Sequence, residues 1–74
     1  MTTNTENMEK MNALIERLDA AFKATYMHDT IKATPLMLAR DAAIKARAAA
    51  RAGDNDLCGR FLETARAYMQ EARA

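Results

Sequence analysis

Few side chains in this chain can do chemistry. There is one His, one Cys, and neither Ser nor Trp. The nearest approach to an acid–base group is Tyr26-Met27-His28-Asp29. Neighbouring residues on a helix point in different directions, and nothing places a nucleophile or second base beside them. His28 therefore reads as a loop or helix-end residue that continues the line of Leu14 and Ala21. Cys58 falls inside an apolar helical arc, whereas a reactive thiol wants partial exposure and a nearby positive charge. Phosphate-binding loops, nucleophile elbows and metal-ligand spacings are absent from the sequence. The expectation is a non-enzymatic protein with no catalytic residue, no metal site and no cofactor.

One patterned group of charges does stand out. Arg40, Arg47 and Arg51 fall within a narrow arc of one helix, beside Met37 and Ile44. Guanidinium groups offer planar, paired donors that suit phosphates and carboxylates. The stripe is a candidate surface for an anionic partner, namely nucleic acid, a nucleotide or an acidic protein face. Its plain alternative is a solvated stripe paired to acids of neighbouring helices. The interleaved aromatics that would support base stacking do not occur on this helix. Flexible thioethers suit an adaptable binding surface; Met27 and Met37 are the ones outside the clearly apolar stripes.

Three helices must position these groups. Met8, Met11, Ile15, Leu18, Phe22 and Thr25 recur at alternating spacings of three and four, which predicts a first helix over about 5–28 behind a disordered leader, 1–5. Thr3 followed by Glu6 has capping-box spacing. Thr34-Pro35 predicts a restart, with Thr34 as N-cap and Pro35 in the first helical position, after a loop near 28–34. That second helix is expected over 35–52, ending at Gly53. Leu36, Leu38, Ala39, Ala42, Ala43, Ala46, Ala49 and Ala50 fill nearly half its circumference. Asp54 or Asp56 then caps a third helix over 55–73. On it Leu57, Cys58, Phe61, Leu62, Ala65, Tyr68, Met69 and Ala72 share an arc of about 140°. The fold class is all-α: a long N-terminal helix followed by an antiparallel helical hairpin, within a single domain spanning 1–74.

Composition supports that reading and adds an expectation about assembly. Alanine is abundant and valine absent, which disfavours β-sandwiches and barrels. The net charge of +1 excludes a strongly basic or acidic tail. It nevertheless hides a segment 34–52 that carries +3 between two that carry −1. A chain of 8.2 kDa buries roughly 7,000 Å² on folding. With about 60% of that apolar, the gain is on the order of 110 kcal/mol. Ordering the chain costs about the same, at roughly 1.5 kcal/mol per residue. One Cys can form no internal disulfide, so the expected staple is a second copy in a dimeric helical bundle. Met8, Met11, Ile15, Leu18, Phe22, Leu57, Phe61, Leu62, Tyr68 and Met69 are the expected core or oligomer-interface residues. No apolar h-region and no run of 18 apolar residues occurs. With an unpaired Cys58, the expected location is cytoplasmic, with no membrane partner.

The turn Ala52-Gly53-Asp54, followed by Ala65 and Tyr68, is similar to the hairpin of a tetratricopeptide repeat, but only one such unit fits. With its polar leader TTNTEN, single hairpin and lack of chemistry, the chain resembles in style the small all-helical inhibitors encoded by bacteriophages. That resemblance implies a homodimer that docks on a host regulator or defence protein and blocks it. The alternatives are a nucleic-acid-binding dimer using the basic middle helix, or a binder that sequesters a small anionic ligand such as a nucleotide.

Overall fold

The computed structural model describes residues 3–73, with side chains from Met8 onward. The described residues form three helices and no strand: α1 (Thr3–Tyr26), α2 (Thr30–Arg51) and α3 (Asn55–Arg73). Of the leader expected over 1–5, residues 1 and 2 lie outside the described residues, and 3–5 belong to α1. The capping box expected of Thr3 and Glu6 falls on side chains outside those described.

The start of α2 corrects the sequence reading. It begins at Thr30, and the cap is Asp29 rather than Thr34. The Asp29 carboxylate accepts from the Ile31 and Lys32 amides at 3.0 and 3.1 Å. It thereby satisfies two of the orphan donors of the first turn and sits at the positive end of the helix dipole. Thr34 lies inside the helix, its hydroxyl donating to the Thr30 carbonyl at 3.1 Å. Pro35 is interior too, and it removes only the hydrogen bond that would reach the Ile31 carbonyl. α2 nevertheless runs through the proline. Asp29→Ala should therefore lower stability by about 0.5–2 kcal/mol, read as a fall in the urea midpoint at unchanged slope. Thr34→Ala should leave the midpoint nearly unmoved.

The far end of α2 is as expected. Gly53 takes a positive φ of 82°, and the Gly53 and Asp54 amides donate to the Ala50 and Ala49 carbonyls at 3.1 and 2.9 Å. This is the glycine-terminated closure of a helix. Asp54 then accepts from the Leu57 amide at 3.0 Å and caps α3.

α2 lies between the other two helices. It packs on both α1 and α3, while no Cα atom of α1 comes within 8 Å of α3. α1 and α2 run in opposite directions, since Asn12 meets Arg47 and Asp19 meets Arg40. Alanine makes this arrangement possible. Ala39, Ala42, Ala43, Ala46 and Ala49 of the expected methyl face are buried, and Leu36, Leu38 and Ala50 are partly so. One cluster joins Met11, Ala46, Ala49 and Cys58, with Met8, Phe61 and Leu62 packed against it. A second joins Leu18, Ala39 and Ala43, with Leu14, Ile15, Leu36, Tyr68 and Met69 around it. The Phe22 and Tyr26 rings lie 5.4 Å apart, tilted at 42°, and Leu57 is 40% exposed.

Candidate functional site

Two of the three arginines of the stripe bond to side chains of α1. Arg40 donates from Nη1 to the Asp19 carboxylate at 2.7 Å, and its guanidinium stands 4.9 Å from the Phe22 ring centroid. Arg47 donates to the Asn12 side-chain oxygen at 3.0 Å. Both bind α2 to α1. Arg51, at the α2 C-terminus, is exposed and suits the negative end of the helix dipole. Of the residues expected to meet an anionic partner, two are thus engaged within the chain.

Asp19 is the acceptor at the centre of this joint. Its carboxylate takes Lys23 at 2.9 Å, one helical turn away, as well as Arg40. Hydrogen bonds from Lys23 first, then Arg40, hold its pKa below the usual aspartate range. A carboxyl whose pKa is lowered by folding contributes stability above its unfolded pKa and loses it as pH falls through the folded one. The expected result is that Asp19→Asn removes part of the acid-limb slope of stability below about pH 4. Urea midpoints at pH 3 and pH 6, read for both proteins, check this; parallel curves would exclude it.

The other sequence candidates resolve as structural residues. Asp29 directs its carboxylate into the α2 cap, not at His28. The His28 amide donates to the Thr25 carbonyl in the turn, and its side chain is exposed. Cys58 is buried, its Sγ 3.9 Å from the Sδ of Met11, where two polarisable sulfurs join α3 to α1. Among the described residues, no three His, Cys, Asp or Glu converge as a metal site would require. No described helix is long and apolar enough to cross a membrane.

Two surfaces emerge that the helical wheels do not show. At the α1–α2 corner Tyr26, Met27 and Ile31 are 54%, 84% and 82% exposed. They come from the end of one helix, the turn and the start of the next, so no single-helix periodicity groups them. The second surface is the trough between α1 and α3. One part of it is lined by Lys10, Met11, Leu14, Cys58, Leu62 and Arg66. Another is lined by Leu14, Arg17, Leu18 and Ala21 of α1, with Met69 and Arg73 of α3. Lys10/Arg17 and Arg66/Arg73 are each seven residues apart, a signal present in the sequence but meaningful only once α1 and α3 are known to be neighbours.

No protein-family model matches this chain, and no significant match to a curated protein or to a solved structure was found.

Proposed function

We propose that this chain is a non-enzymatic protein-binding regulator, an inhibitor that docks on a larger protein and blocks its activity. The observation that carries this reading is where the large apolar side chains sit. Among the described residues no large side chain is fully buried; the core is alanine, Met11, Leu18 and Cys58. Tyr26, Met27 and Ile31 are instead exposed where α1 ends and α2 begins. Clustered exposed apolar side chains mark interaction sites, and Tyr and Met are suited to anchor and to adapt there. The setting this reading implies is bacterial cytoplasm, with the protein encoded by the bacterium or by a phage.

Affinity capture with the full chain tests it. Wild type should retain a stoichiometric protein partner from a bacterial lysate, and Met27→Asp/Ile31→Asp, still helical by circular dichroism, should lose it. Absence of any partner across several hosts, or equal capture by the variant, would overturn the reading.

In this reading α2 and α3 act as an antiparallel hairpin with α1 laid along it, and two chains pair into a bundle. Light scattering at tens of micromolar should then give twice the chain mass of 8.2 kDa; a monomer mass excludes the pairing. The nucleic-acid alternative draws less support, because Arg40 and Arg47 already serve Asp19 and Asn12. A small anionic ligand meets the same difficulty at that stripe.

A further inference from the structure

On the protein-binding reading above, we infer that the trough between α1 and α3 is a docking site for an acidic amphipathic helix of the partner. The trough exists because both helices pack on α2 while their own backbones stay more than 8 Å apart at every Cα. Across it Met11 Sδ and Cys58 Sγ meet at 3.9 Å, so a further helix would lie along this seam, over the side chains that close it, at the 8–10 Å axis spacing of packed helices. Its floor is apolar: Met11, Leu18 and Cys58 are nearly covered, while Leu14, Leu62 and Met69 keep exposed edges.

The rims carry one sign of charge. Lys10 and Arg66 face one part of the trough, and Arg17 and Arg73 face the next. No acidic side chain lines either part, and no ion pair among the described residues involves these four cations. On each rim the two cations are one heptad apart, about 10.5 Å along a helix. A cleft lined by a single sign of charge concentrates its field on whatever enters.

These features select the occupant. A second copy docked face to face by a two-fold axis would set cations against cations, because such an interface apposes identical patches. An anionic membrane needs apolar atoms that protrude, and here Met11, Leu18 and Cys58 are nearly covered. A docked helix fits both features. Its a and d residues meet the floor, and acids at e and g fall opposite both rims with the heptad spacing the cations already have.

The probe is a fluorescent synthetic helix of about 18 residues, roughly 27 Å long, with Leu at a and d and Glu at e and g. A matched peptide carries Lys at e and g. Against the full chain, the Glu peptide should bind saturably and weaken with salt, and the Lys peptide should bind at least about tenfold more weakly. Lys10→Glu/Arg17→Glu/Arg66→Glu/Arg73→Glu, which turns the rim charge from positive to negative, should invert that preference, and Arg51→Glu should leave it unchanged. No saturable binding, equal binding of both peptides, or failure to invert would overturn the assignment. So would Arg17- and Arg73-dependent pelleting with phosphatidylglycerol vesicles in place of Glu-peptide binding. Lysate capture separates the two levels. A partner still held by Lys10→Glu/Arg17→Glu/Arg66→Glu/Arg73→Glu refutes the trough alone, whereas no partner for wild type refutes protein binding itself.

Discussion

Ala43→Leu should lower the melting temperature by roughly 5–20 °C, more than any surface substitution in this chain. Ala43 has no exposed surface and belongs to the cluster with Leu18 and Ala39. α2 is held between two neighbours, so a larger side chain must push α1 or α3 outward. Overpacking of this kind costs about 1–3 kcal/mol. In a domain of this size each kcal/mol shifts the midpoint by about 4–8 °C. Thermal melts followed by circular dichroism read the effect, with Ala48→Leu as the comparison. Ala48 is exposed on the same helix, and leucine there should be nearly neutral. An unchanged melt for Ala43→Leu would mean that the methyl face does not hold the helices close.

Leu18→Ala should be the most damaging truncation. Leu18 is 5% exposed and, with Met11, is one of two large side chains in the buried core. Its buried neighbours are Ala39 and Ala43, with Leu14, Ile15, Leu36, Tyr68 and Met69 packed around them. Truncation of a buried leucine costs about 2–5 kcal/mol. Total stability for a chain of this length is only about 4–11 kcal/mol. Much of the variant should therefore be unfolded at 37 °C, seen as loss of the native urea baseline. A variant that keeps more than about three-quarters of the wild-type urea midpoint would show that Leu18 is not central.

The same residues show what a sequence can disclose about this fold. Gly53, Asp54 and the Ala39–Ala49 face are governed by local rules, the left-handed C-terminal residue, the N-cap and the 3.6-residue period, so they were legible. The α2 start was not. Thr34-Pro35 is the stronger pattern in isolation, yet Asp29 offers two amide hydrogen bonds five residues earlier. Pro35 lies inside the helix and does not stop it. The arginine stripe was legible as an arc but not as a surface, since which side of α2 meets α1 is decided by Asn12 and Asp19 on another element. The cationic trough and the Tyr26–Ile31 corner each combine residues from different helices. Their existence depends on tertiary pairing, which no single-helix period encodes.

The central position of α2 also governs how the molecule breathes. Helices adjacent in the chain are the ones that pack, and both connections are three residues long. Such local topology places folding in the microsecond-to-millisecond range. An outer helix that opens loses its α2 interface and the Met11–Cys58 contact and leaves the other two helices paired, whereas α2 opens only when both of its interfaces are lost. Native-state hydrogen exchange should accordingly be slowest at the α2 amides between Ala39 and Ala49 and reach the global unfolding limit only there. The outer helices then exchange through partial openings, and each such opening widens the space between them.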